Sequence, residues 1–274
     1  MPEAVIVSIA RSPIGRAMKG SLKDMRPDDL AAQMVRAALD KVPALDPHDI
    51  DDLRLGCGLP CGEQGQNIGR NIAIQLGYDF VPGTTITRYC SSSVQTTRMA
   101  LHAIKSGEGH VLISTGVETV SRFVKGNSDS LPDTQNPLYG NAQARTAELA
   151  KGHGQWSDPR QDGLIPDTYI AMGQTAENVA HITGITRQEQ DRWAVRSQNR
   201  AEEAINSGFY EREITPVTLP DGTSRYPGRW SSRRNHLRGR QQASAGVSAR
   251  RHRRQRVPTQ RRSRRADHHV RQQG

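Results

Sequence analysis

The chain carries three cysteines, and one of them, Cys90, stands where a thiol could do chemistry. It closes a β-branched run, Thr84-Thr85-Ile86-Thr87, and is followed at once by Ser91-Ser92-Ser93 and a stretch of helical spacing with Val94, Leu101 and Ile104 on one face. This order predicts a strand, a tight turn and a helix, with Cys90 at the helix N-terminus. Unpaired N–H groups and the positive end of the helix dipole favour a thiolate there, and the thiolate is the form that attacks carbon. The serines are small enough to let an acyl group approach, and their hydroxyls can serve the first-turn donors. The same spacing fits a structural cysteine buried in a core, so the turn alone leaves both readings open. Cys57 and Cys61 have the spacing of half a zinc site, but no second Cys or His pair lies near to complete it, and no metal is expected.

The elements that must position Cys90 alternate along the chain. Ala4 to Ile9 is a near-continuous apolar run, expected as a strand buried on both faces. Asp28 to Leu39 follows Pro27 with acids in its first turn and apolar residues at helical spacing. Leu53 to Cys57 reads as a second strand and Asn67 to Leu76 as a helix stopped by Gly77. The strand into Cys90 and its helix to about residue 105 come next, then a strand over His110–Gly116. This alternation predicts an α/β layered domain, with helices over a mixed sheet. From about residue 121 the texture becomes polar and turn-rich. Two helices stand out there: Met172 to His181, and one opened by Thr186-Arg187-Gln188-Glu189, a capping box, and ended before Gly208. The apolar face of the latter, Trp193, Val195, Ala201, Ala204 and Ile205, is expected to be packing.

Five segments together resemble the thiolases, acyl-CoA acyltransferases that make or cleave β-ketoacyl-CoA. They are Arg11-Ser12-Pro13-Ile14-Gly15-Arg16, Gly65-Gln66-Asn67, Arg88 to Gln95, Gly116-Val117-Glu118-Thr119-Val120-Ser121 and Met172 to Ala180. They occur in family order at family spacing, from about residue 3 to about residue 223. The resemblance implies a thiolase-like layered α/β domain, incomplete, over residues 1–120, with an inserted loop domain over 121–223 that covers the site and holds coenzyme A. It implies Cys90 as acyl-thioester nucleophile, Met172 lining the acyl pocket and Leu164 near the pantetheine arm. Coenzyme A thioesters are then substrates, no cofactor is permanently bound, and a homo-oligomer is the family's habit. The family also uses a Gly-His-Pro histidine, a second cysteine in a Cys-x-Gly setting and an Asn-Glu-Ala-Phe segment, none of which is in this sequence. Gly109-His110 and Gly152-His153 lack that context, and both histidines are expected on the surface.

Composition divides the chain in two. Of its 274 residues, 224–274 hold sixteen arginines and one acid, Asp267, a charge of +15 against +10 for the whole, which leaves −5 on residues 1–223. The high overall charge is therefore no sign of a nucleic-acid-binding fold. Beyond Ser224 the aliphatic residues larger than alanine are Leu237, Val247, Val257 and Val270, too few to offset about 1–2 kcal/mol of backbone ordering per residue, so this tail is expected to be disordered and to bind polyanions nonspecifically. Bases encoding Gly246 to His252, read one position later, can give Val-Phe-Arg-Pro-Asp-Gly-Thr, and those for Pro258 to Arg265 can give Pro-Leu-Asn-Asp-Gly-Ala-Ala-Ala. Both strings resemble thiolase sequence, so the tail reads as a frameshifted continuation. No run of about 18 apolar residues predicts a membrane span, the N-terminus does not read as a secretory signal, and an odd cysteine count suits a reducing cytoplasm. Two functions remain: a thiolase-family acyltransferase truncated to half and inactive alone, or a non-catalytic interaction protein whose arginine-rich tail binds nucleic acid.

Overall fold

The computed structural model describes residues 2–125 and 135–225. The expected disorder and polyanion binding of the tail fall almost wholly outside them. The described chain divides into two compact units, one holding the residues up to Gly184 and those from Glu203 onward, the other Ile185–Glu202.

The first unit is built on three parallel strands, β1 (Asp52–Gly56), β2 (Gly83–Ile86) and β3 (Leu112–Gly116), in the order β2-β1-β3. Leu53 stands opposite Gly83 on one side and Ile113 on the other. Parallel neighbours need a long crossover, and helices supply it: α2 (Ile68–Gln75) joins β1 to β2, and α3 (Ser92–Ser106) joins β2 to β3. Helix α1 (Pro27–Leu39) precedes β1 and opens with Pro27 followed by Asp28 and Asp29, which suit a helix N-terminus.

Strand side chains alternate between faces, and this sorts the layers. Leu53, Leu55 and Cys57 join a buried cluster with Ala31, Ala32 and Val35 of α1 and Ile68, Ile72 and Ala73 of α2. Gly56 looks to the other face, where it meets the backbone of Ser92 and Ser93. The sheet therefore lies between α1 and α2 on one side and α3 on the other, the layered α/β arrangement expected. Leu53, Leu55 and Ile72 are fully buried, and each such side chain contributes about 1.5–3 kcal/mol relative to exposure.

After β3 come a 3-10 turn (Val120–Lys125), α4 (Gly140–Ala150), a 3-10 turn (Pro159–Asp162) and α5 (Met172–Thr183), which stops at Gly184 with φ 67°. Helix α6 covers Arg187–Asn206. The capping box that opens it is formed: Glu189 Oε2 accepts from Thr186 N at 2.8 Å, and Glu189 N donates to Thr186 Oγ1 at 3.3 Å. A short antiparallel pair, β4 (Val217–Thr218) and β5 (Ser224–Arg225), closes the described chain.

Four expectations need correction. Ala4–Ile9 forms no strand and is not buried: Val5, Ile6 and Val7 are at least 70% exposed. Among the described residues the stretch pairs with no strand, and the nearest backbone pairing is an isolated bridge from Arg11 to Ile214. On α3 the buried side is Ser92, Thr96, Ala100 and Ala103, while Val94 and Leu101 are exposed. Trp193 is 67% exposed and stacks under the Arg196 guanidinium at 3.9 Å rather than serving as packing. Ser224 and Arg225, grouped with the tail by composition, pair with β4.

Candidate active site

Strand β2 ends at Ile86, and Cys90 follows in a 3-10 turn, Tyr89–Ser91, that runs directly into α3. Side chains next to Cys90 hold this turn. Ser92 Oγ accepts from Arg88 N at 2.8 Å and donates to Tyr89 O at 2.6 Å, while Ser91 Oγ donates to Arg88 O at 2.9 Å. Arg88 Nη1 reaches Gln95 Oε1 at 2.6 Å. Tyr89 has φ 47°, a left-handed conformation that costs a non-glycine residue about 1–3 kcal/mol and persists only when its surroundings enforce it. Cys90 is a free thiol, exposed at the carboxyl edge of the parallel sheet, where open α/β sheets place their ligands.

Two glycines let α3 sit this close. Gly56 and Gly116 end adjacent strands and pair with each other. A β-carbon on Gly56 would lie 2.6 Å from the Ser92 carbonyl carbon and 2.7 Å from Ser93 N; one on Gly116 would lie 2.0 Å from Ser93 Oγ. Any larger residue would push the helix start, and Cys90 with it, off the sheet. Thr96 completes the contact, its hydroxyl 2.9 Å from that of Ser114.

A polar clamp lies beside the turn, between the loops that follow β1 and β3. With the order β2-β1-β3, these strands flank the point where the chain's direction of winding reverses. Glu118 Oε2 accepts from Gly58 N at 2.6 Å, and its Oε1 from Gln64 Nε2 at 2.8 Å. Gln64 Oε1 in turn accepts from Thr119 N at 2.6 Å and Thr119 Oγ1 at 3.0 Å. Further out, Arg122 Nη2 donates to Glu63 Oε1 at 2.6 Å, and this bond raises the Arg122 pKa. The clamp reaches the cysteine turn through Gly58: its carbonyl accepts from Thr87 Oγ1 at 2.9 Å, and a β-carbon on it would lie 3.4 Å from Tyr89 O. Glu118 lies in one of the five resembling segments, whereas Gln64 and Gly58 lie outside them.

Cys57 shows what the same neighbourhood does to a thiol that is not exposed. It is buried, with Glu118 Oε1 3.9 Å from its sulfur, and burial followed by the Glu118 charge pushes its pKa up to about 12. With its proton held this firmly, it is a neutral packing group. Among the described residues no cluster of three or more His, Cys, Asp or Glu side chains could hold a metal ion, and no helix is long and apolar enough to cross a membrane. His110 and His153 are both exposed, as expected.

Leu164 and Met172 belong to a separate stretch. Leu164 follows the 3-10 turn and Gly163, with its N–H bonded to Pro159 O at 3.0 Å, and Met172 opens α5. Both are exposed, as are Ile165 and Tyr169 between them. Asp167 anchors the stretch from behind, accepting from Arg145 Nη2 at 2.8 Å and Trp156 Nε1 at 3.1 Å.

Known proteins with the same features identify the lineage. The family described as "Thiolase, N-terminal domain" matches residues 4–228. A 3-ketoacyl-CoA thiolase of Bacillus subtilis is 38% identical over 220 residues, covering 80% of this chain and 50% of the relative. A 3-oxoadipyl-CoA/3-oxo-5,6-dehydrosuberyl-CoA thiolase of Escherichia coli is 39% identical over 222 residues, covering 80% and 52%. The crystal structure of the Bacillus anthracis acetyl-CoA acetyltransferase superposes with a TM-score of 0.59 at 32% identity, over 79% of this chain and 51% of that one. The chain thus spans about half the length of the curated relatives it matches. With its motifs, its layered sheet and its cysteine turn all in that company, the chain belongs to the thiolase family.

Proposed function

We propose that Cys90 is the acyl-accepting nucleophile of a thiolase-type acyltransferase. The observation that carries this is its place: an exposed free thiol on a strained turn, fixed by Ser91, Ser92 and Thr87, at the carboxyl edge of a parallel sheet. The Cys90 thiolate attacks the carbonyl carbon of an acyl-CoA; an S–C bond forms, the bond to coenzyme A sulfur breaks, and coenzyme A leaves as the thiolate to take up a proton. In the second step coenzyme A, or the α-carbanion of another acyl-CoA, attacks the acyl-cysteine. In this reading residues 121–223 form the loop domain over the site, with Leu164 along the pantetheine arm and Met172 against the acyl group. The setting is cytoplasmic, the transfer serves β-ketoacyl-CoA thiolysis, as in fatty acid β-oxidation, or the reverse Claisen condensation, and the arginine-rich tail is a shifted-frame continuation.

Turnover needs more than a nucleophile. The family's Gly-His-Pro histidine, second cysteine and Asn-Glu-Ala-Phe segment are not in the 274 residues. Loss of one oxyanion donor costs about 10²–10³ in rate, and loss of a general base about 10²–10⁴. The chain alone is therefore expected to take up one acyl group and stop. Incubation with acetyl-CoA should add the mass of one acetyl group, mapped to Cys90 and lost in Cys90→Ser. No acetylation of a chain whose Cys90 still alkylates would remove the nucleophile assignment. Sustained turnover abolished by Cys90→Ser would show that a substitute base exists.

A further inference from the structure

Cys57 and Cys61 are a pair of thiols that the active-site reading leaves unused. They bracket Gly58-Leu59-Pro60 in the loop between β1 and α2. Cys61 N donates to Leu59 O at 2.8 Å, a three-residue turn centred on Pro60, whose fixed φ suits that geometry. The turn folds the chain back, and both sulfurs meet Leu59. The Cys57 sulfur accepts from the Leu59 backbone N–H, and Cys61 Sγ lies 3.6 Å from Leu59 O. Charge on the Cys61 sulfur is felt at Cys57.

The two thiols differ in access. Cys57 is buried and Cys61 half-buried, so a reagent from solution reaches Cys61 first. Beside Cys57 stands an acceptor for its proton. Glu118 Oε1 is 3.9 Å from the Cys57 sulfur, and Gln64 Nε2 holds that oxygen at 2.8 Å while also donating to Leu59 O at 2.9 Å. An outer thiol open to attack, an inner thiol that can resolve the product and a carboxylate beside the inner one are the parts of a thiol–disulfide couple.

We propose that Cys57 and Cys61 form a reversible disulfide, with a small-molecule disulfide of the glutathione type as oxidant. The Cys61 thiolate attacks one sulfur of the oxidant; an S–S bond to Cys61 forms, the oxidant's own S–S bond breaks, and one glutathione leaves as the thiolate and takes up a proton. Cys57 then gives its proton to Glu118 as its sulfur attacks that of Cys61. The Cys57–Cys61 bond forms, and the second glutathione leaves as the thiolate to be protonated in turn. Two protein thiols are oxidised, and one disulfide is reduced to two thiols. Disulfides in a reducing compartment are usually of this transient kind.

The cross-link straddles Gly58, the residue that joins the clamp to the cysteine turn. Its N–H is bound by Glu118 and its carbonyl by Thr87. Drawing Cys61 onto Cys57 shifts the segment on which both contacts depend, so oxidation loosens the turn around Cys90. The pairing uses no atom of Cys90 and stands independently of the acyl-transfer reading.

Peptide mapping of the full Cys90→Ser chain after incubation with oxidised glutathione tests this. The expected result is loss of two hydrogens and a link between Cys57 and Cys61, reversed by dithiothreitol. With Cys57→Ser added, the reaction should stop at one glutathione on Cys61. With Cys61→Ser added instead, uptake should fall about 10-fold or more, because Cys57 is out of reach of the reagent. Arg88 N and Ser91 N are both hydrogen-bonded in the turn, and amide exchange over residues 88–91 should run about 10-fold faster in the oxidised chain than in the reduced one. In the parent chain the same link should form beside a glutathione on Cys90, a check that does not rest on the substitution. Two free thiols after oxidation, glutathione on both Cys57 and Cys61 without a link, or undiminished uptake by Cys57 when Cys61 is serine would each overturn the proposal. Unchanged exchange at residues 88–91 would overturn its reach to the Cys90 turn.

Discussion

Cys57 and Cys90 follow neighbouring strands of one sheet, Cys57 directly after β1 and Cys90 after the short turn that follows β2, yet they are opposite in kind. Cys57 continues the alternation of Leu53 and Leu55 into the core and sits beside a carboxylate. Cys90 lies beyond the strand, on a turn that bends its backbone out of the sheet and presents its sulfur to solvent. A strand end at the right edge of a parallel sheet is thus not sufficient to make a nucleophile. What separates the two is the serine-held turn on one side and burial against Glu118 on the other.

The largest test of that contrast is differential alkylation. At neutral pH iodoacetamide should label Cys90 fully, while Cys57, with a pKa of about 12, should react on the order of 10³-fold more slowly than an ordinary exposed thiol of pKa about 8.5. Peptide mapping by mass spectrometry reads both sites at once, and comparable labelling of the two would break the comparison. The same shift fixes a pH dependence. The folded chain holds the Cys57 proton to about 12 and the unfolded chain only to about 9.0. Its contribution to stability is therefore fully present below pH 9.0 and is lost as pH rises towards 12.

A smaller effect is expected at the glycines beneath the turn. Gly56→Ala would drive a methyl group into the backbone of Ser92 and Ser93 and should cost about 1–3 kcal/mol by overpacking. A lower denaturation midpoint together with a changed Cys90 alkylation rate would sharpen the contrast. An unchanged rate would show that the helix start does not position the sulfur. Smallest is Glu118→Gln, which keeps the shape but removes the charge beside Cys57. It should cost about 1 kcal/mol through a weaker bond to Gly58 N and raise the slow labelling of Cys57, with Cys90 labelling nearly unaltered.

Much of this was legible from local sequence. Pro27 with two acids, Gly77, and the Thr186–Glu189 pair mark helix ends that the structure forms at or beside those residues. The errors share one cause, which is partners distant in sequence. The run Ala4–Ile9 has the composition of a central strand, but strand formation needs a neighbouring ladder, and among the described residues the run pairs with none. Val94, Leu101 and Ile104 make an apolar stripe, yet contact with strands that end in glycine favours the small side of α3, so Ala100 and Ala103 are buried instead. Within the site, Cys90 could be read from its own turn. Gln64 and Glu118 could not, because each acts through bonds spanning more than fifty residues.

The double hydrogen bond of the Ser92 hydroxyl has a further consequence, in entropy. It closes Arg88 and Tyr89 into a ring with the first residue of α3 before any ligand arrives. Fixing a backbone residue costs about 1–2 kcal/mol, and here that cost for the residues flanking Cys90 is met once, during folding, by burial elsewhere in the sheet. A thioester approaching Cys90 meets a turn with little freedom left to lose, so more of its binding free energy remains for reaching the transition state.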